Sequence, residues 1–99
     1  MPSKSNEYSY ESGRIASATV EASSAAVLAA DPDRRYARLC NTGNTDCFLA
    51  IGTDAVAGQG VFLKAGGGFF EIWSCNLTHA AVSAITASGE TTLSIQEGL

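Results

Sequence analysis

The chain has 99 residues and a formal net charge of -4, enough for one domain that buries about 60–65% of the surface its unfolded form exposes. Six Lys and Arg against ten Asp and Glu argue against a nucleic-acid binder, because neutralising phosphates takes clustered cations and the only cluster is Arg34, Arg35 and Arg38. No run approaches the ~20 apolar residues of a membrane span, the N-terminus lacks the apolar centre of a signal peptide, and three cysteines fit a reducing compartment, so the sequence predicts a soluble protein made in a cytoplasm.

Residues 1–13 read as a polar N-terminal arm, bearing Ser, Glu and Tyr without a periodic apolar pattern. Tyr8 and Tyr10 are two apart, so an extended arm carries both rings on one side, placed to insert against another subunit. From 14 to 99 the chain reads as a single β domain. Short runs rich in Val, Ile, Phe, Thr and Ala recur between Gly, Pro, Asn and Asp at a spacing of about 8–12 residues. That rhythm predicts strands over Ile15–Glu21, Ala25–Ala30, Arg35–Asn41, Cys47–Gly52, Val61–Lys64, Phe69–Trp73, Ala80–Ala87 and Thr91–Gln96.

The Ala-rich stretch Val20–Ala30 also suits a short helix; Asp31-Pro32-Asp33 ends either element. Arg34, Arg35 and Arg38 follow, on a strand whose alternate residues face solvent or an acidic neighbour. Next comes Cys40-Asn41-Thr42-Gly43-Asn44-Thr45-Asp46-Cys47, which predicts a hairpin: Asn and Asp bond the local backbone and Gly43 takes positive φ. Cys40 and Cys47 at its base are able to join in a disulfide if they are cross-strand neighbours. Later glycines, in Gly58-Gln59-Gly60, Gly66-Gly67-Gly68 and Gly89, mark further reversals. In the closing runs, Val82, Ala84 and Thr86 share one side, as do Leu93 and Ile95, with Thr92, Ser94 and Gln96 opposite.

About eight short strands, with no pattern long enough for a crossover helix, predict an all-β fold: an antiparallel β-sandwich or a small jelly-roll-like barrel, with an extended N-terminal arm. Leu39, Phe48, Ile51, Phe62, Phe69 or Phe70, Ile72, Trp73 and Ile85 are the candidate core and interface residues.

Chemistry has little to work with. His79 is the single histidine, and Cys75 four residues before it shares its side only on a helix, where the sequence predicts a connection between strands. Cys40, Cys47, Cys75 and His79 have the ligand types of a zinc site, but six residues separate the first two where a zinc knuckle needs two to four. Neither Gly-rich segment continues into the Gly-Lys-Ser/Thr of a phosphate loop or opens a helix, and the carboxylates show no recognisable spacing. The sequence therefore predicts no enzyme, no catalytic residue, no metal ligand set and no cofactor.

The remaining landmarks are Arg34-Arg35-Tyr36, Leu39-Cys40-Asn41-Thr42-Gly43, Phe48-Leu49-Ala50-Ile51-Gly52, Gly60-Val61-Phe62-Leu63, the Gly66–Gly68 turn with Glu71-Ile72, Ala84-Ile85, and Thr92-Leu93-Ser94-Ile95-Gln96-Glu97-Gly98. Over roughly residues 34–98 this series resembles small β-rich virion proteins of tailed bacteriophages; Cys40 and Cys47 depart from their pattern. The resemblance implies a decoration (cement) protein on the capsid surface of the virion. Such a protein binds the major capsid protein as a homo-oligomer, a trimer being favoured, with no nucleic acid or membrane involved. Tyr8, Tyr10, Arg34, Arg35 and Arg38 are the expected protein contacts. The alternative is a tail or fibre module that binds host polysaccharide through solvent-facing aromatics such as Phe69, Phe70 or Trp73.

Overall fold

Alternating burial along Val82-Ser83-Ala84-Ile85-Thr86, with the first, third and fifth residues closed to solvent, marks a strand with one face on a core. The computed structural model describes residues 9–99 and has this alternation in four of its eight strands. The eight are β1 (Gly13–Val20), β2 (Ala25–Leu28), β3 (Tyr36–Asn41), β4 (Cys47–Ile51), β5 (Val61–Leu63), β6 (Phe69–Ile72), β7 (Val82–Thr86) and β8 (Thr91–Gly98). Each expected run matches one strand, β1 beginning two residues before its run and β8 ending two residues after it, and the Ala-rich stretch forms β2 and not a helix. Tyr8 lies outside the described residues.

Two four-stranded antiparallel sheets result, one ordered β1-β8-β3-β6 and the other β2-β7-β4-β5. The ladders join β1 to β8, β2 to β7, β3 to β6 and β4 to β5, so the chain pairs as one long hairpin with β4 and β5 at its tip. Further ladders of β3 with β8 and β4 with β7 roll that hairpin into two layers. This is a double-sheet jelly roll. Every connection except β4–β5 passes from one sheet to the other.

The core between the sheets is aliphatic. Val20, Ala37, Leu39, Ile72, Leu93 and Ile95 come from the first sheet, and Leu28, Cys47, Leu49, Leu63, Val82 and Ala84 from the second. Of the expected core and interface residues, Leu39 and Ile72 are fully buried and Phe70 packs at the margin. Phe62, Phe69 and Trp73 are about half exposed, at 52, 53 and 48%. The reason is parity: Phe62 lies between the inward Val61 and Leu63, Phe69 precedes the inward Phe70, and Trp73 follows the inward Ile72.

The Cys40–Cys47 segment departs from the expected hairpin. Cys40 pairs with Phe69 and Ser94 in the first sheet, while Cys47 pairs with Leu63 and Thr86 in the second, so the loop is a crossover between layers. The two cysteines are not cross-strand neighbours, and both thiols are free. The loop is organised by the buried Asn41, whose Nδ2 donates to the carbonyls of Thr45 (2.8 Å) and Leu63 (3.0 Å). Its Oδ1 accepts from the Gly43 N–H (3.1 Å) and the Thr91 hydroxyl (2.7 Å). Gly43 does not have positive φ. Glycine is required there by close approach, since a Cβ would stand 2.2 Å from Thr91 Oγ1.

Candidate interaction surfaces

The outward faces of the two sheets differ. On the second sheet, Phe48 of β4 lies between Phe62 of β5 and Ile85 of β7 in register, forming an apolar row across three strands. The two phenyl rings meet at 5.5 Å, tilted by 49°. No polar side chain interrupts that row.

On the first sheet the outward residues are mostly polar: Thr92, Ser94 and Gln96 of β8 beside Arg38 and Cys40 of β3. Arg38 is exposed, and its guanidinium carbon sits 4.3 Å from the centroid of the Phe69 ring. Glu71, opposite Arg38 in the ladder, accepts the Tyr36 hydroxyl at 2.5 Å. Burial of Tyr36, and then this bond to a carboxylate, push its phenol up to about 12.

Tyr10 of the arm packs on the chain itself. Its ring stacks on Tyr36 at 5.5 Å, 19° from parallel. Gly98 beneath it has no room for a Cβ, which would fall 2.5 Å from the ring. Backbone bonds from Glu11 and Ser12 to the Leu99 carbonyl, and from Leu99 to the Ser12 carbonyl at 2.8 Å, complete the anchor. So the last part of the expected arm extends the first sheet, with Tyr10 laid on its outer face.

Arg34 corrects an expectation. It is 1% exposed, so its guanidinium is not a contact for another protein. Its Nε donates to Glu97 Oε2 at 2.9 Å, and its remaining nitrogens donate to the carbonyls of Ala29, Thr78 and Ala80. A planar guanidinium is the side chain able to serve four acceptors in this fork. Glu97 also accepts from Arg14, which reaches Asp31 at 2.6 Å. Asp31 Oδ1 in turn accepts the Asp33 N–H, and that bond and Arg14 hold its carboxyl below the usual range. The cluster ties the 29–34 and 78–80 loops to β8. Sequence reading missed Glu97's part; the signal was its position two beyond Ile95, on the inward parity of β8.

Arg35 is half-buried and lines a cavity of about 700 Å³ with Ser12, Asp33, His79 and Leu99. Among the cysteines, Cys75 is exposed and Cys47 is buried, its thiol pushed up to about 11 by burial and then by Asp46. Among the described residues, no three His, Cys, Asp or Glu side chains gather where they could hold a metal ion. No helix there is long and apolar enough to cross a membrane.

No known protein family matches this sequence, and no curated protein or solved structure is significantly similar to it.

Proposed function

We propose that the chain is a structural protein of a bacteriophage virion: a decoration protein that binds the outside of the assembled head as a symmetric oligomer and reinforces the shell by bridging copies of the major capsid protein. The supporting observation is the Phe62–Phe48–Ile85 row on the outward face of the second sheet, with Phe62 52% exposed. A contiguous apolar row on a solvent-facing sheet marks a macromolecular interface. The jelly roll is a fold of viral capsid and lectin domains, which is an analogy of fold and assigns no residue a role. In this reading the chain acts by binding alone, is not an enzyme, and resides on the virion after synthesis in the host cytoplasm. Incubating the purified chain with expanded, decoration-free shells tests it: saturable binding is expected, weakened at least about tenfold by Phe62→Ser as an interface aromatic is lost. No binding at any concentration overturns it.

A second reading, a tail or fibre module for host polysaccharide, is favoured by one observation: Phe69 and Trp73 are half exposed, as stacking on sugar rings requires. Arg38 covers one face of Phe69, leaving Trp73 as the better platform. Glycan-array binding that Trp73→Ala abolishes would support this reading over the first.

A further inference from the structure

The four sheet edges of the jelly roll are unequal. β2, β5 and β6 have four, three and four residues, and β2 also carries a register irregularity between Ala26 and Leu28. Short or bulged edges resist pairing with another chain. β1 is also an edge, yet it has eight residues, and its ladder with β8 is unbroken from Gly13↔Gly98 to Val20↔Thr91. It contains no proline, and its one charge, Arg14, is held on the inner side by Glu97 and Asp31, each at 2.6 Å. Among the described residues, β1 thus lacks the shortness, proline and bulge that guard an edge strand, and its single inward charge is neutralised by its two carboxylate partners.

Which residues offer the free hydrogen bonds follows from the ladder. Ser12 and Leu99 exchange both backbone bonds, and such pairs alternate along an antiparallel ladder. Arg14, Ala16, Ala18 and Val20 therefore bond to β8, while Gly13, Ile15, Ser17 and Thr19 turn their N–H and C=O groups to the free side. Ile15 is 81% exposed, and Ala16 is exposed although its parity faces the sheet interior. Beneath it a cleft of about 400 Å³ opens between β1 and β2, lined by Ala16, Val27, Leu28 and Ile95 with Arg14 and Glu97.

We infer that the β1 edge is a strand-addition site whose occupant is the β1 edge of a second copy of this chain, joined about a two-fold axis. The sequence is self-complementary for that pairing. With Ala16 opposite the second copy's Ala16, Gly13 meets Thr19 and Ile15 meets Ser17, so all the outward-bonding residues find partners. Arg14 stands opposite Ala18, and no like charges face each other. The first sheets of the two copies become one continuous eight-stranded sheet, and the second β1 extends over the mouth of the apolar cleft. A dimer, in place of the trimer expected from the resemblance, is the assembly this edge supports.

Sedimentation equilibrium of the full chain tests the inference. The expected species at high micromolar concentration has twice the chain mass of 10.2 kDa. Ser17→Pro removes an outward N–H on an edge strand, where proline is tolerated, and is expected to weaken association at least about tenfold. Because that variant has a route to misfolding, Ala16→Cys in a Cys75→Ser background gives an independent readout. Directly opposed residues of a strand pair meet disulfide geometry, so mild oxidation is expected to give a covalent dimer. A chain that stays monomeric, a trimer indifferent to Ser17→Pro, or an Ala16→Cys variant that fails to cross-link while folded each overturns the inference. Shell binding is measured separately, so loss of one result leaves the other standing.

Discussion

Arg34 and Glu97 form a buried ion pair at 2.9 Å, with both side chains almost closed to solvent. Each is satisfied by the other and by neighbouring groups, and breaking such a pair from one side leaves a buried charge uncompensated. Arg34→Ala and Glu97→Gln are each expected to cost about 3–5 kcal/mol in urea denaturation. Arg34→Lys is expected to recover little, because a single ammonium replaces a fork that serves Glu97 and three carbonyls. Wild-type stability in either single variant would contradict the role given to this pair.

Asn41 supplies both donors and both acceptor contacts of the β3–β4 crossover from inside the protein. Asn41→Ala leaves several buried polar groups without partners and is expected to destabilise by about 2–3 kcal/mol. Gly43→Ala is expected to cost about 1–3 kcal/mol through overpacking. Removing the Thr91 side chain would relieve only part of that cost, because the Thr92 amide nitrogen stands 2.8 Å from the added Cβ. Thermal denaturation of the single and double variants checks both statements.

Most of the architecture was legible in the sequence, because short β-branched and aromatic runs between turn residues identify strands wherever one face is buried. What the pattern did not reveal was which face. Phe48 and Phe62 are apolar neighbours of apolar inward residues, so no polar alternation distinguishes the two sides. Nor does Asn-Thr-Gly distinguish a hairpin from a crossover: both need backbone bonds from Asn, and the difference lies in the long-range partners Leu63 and Thr91. The arginine cluster reads as three similar charges, but Arg34 has an inward acceptor set and Arg38 an aromatic ring at the surface.

Tyr10 over Gly98 fixes the start of the described chain to its end. Gly98→Ala is expected to expel the ring, and Tyr10→Ala to remove a stacked pair worth about 0.5–1.5 kcal/mol beyond its buried area. In both, the Ser12 and Leu99 amides should exchange with deuterium faster while amides of β4 and β7 keep their protection. Uniform acceleration across the molecule would show that Tyr10 supports the whole fold and not this anchor.

The alkaline limit of stability follows from two neutral groups. Tyr36 rises from 10.0 to about 12 and Cys47 from 9.0 to about 11, burial being the leading cause for both. A folded-state value above the unfolded one gives stability that is intact below the unfolded value and lost as pH climbs through the folded one. Stability should therefore hold to about pH 9 and fall between about pH 9 and 12. Tyr36→Phe is expected to flatten the upper part of that fall. An unchanged profile in denaturant titrations of this variant would contradict the assignment.

Thiol accessibility offers a direct check on the crossover. Cys75 is exposed, Cys40 half-buried and Cys47 buried. A neutral thiol reagent should label Cys75 first and Cys47 only on unfolding, with no loss of free thiol under mild oxidation through a Cys40–Cys47 bond. Mass spectrometry of partially labelled protein reads the order, and a Cys40–Cys47 disulfide in the folded protein would refute the two-sheet placement of these residues.

The proposed role is tested most directly by locating the chain in the particle it comes from. Electron cryomicroscopy of the virion is expected to show density of this jelly roll on the outer surface of the head, touching more than one capsid subunit through the face that carries Phe48, Phe62 and Ile85. Density confined to the tail or fibres, with a bare head surface, would contradict the decoration role.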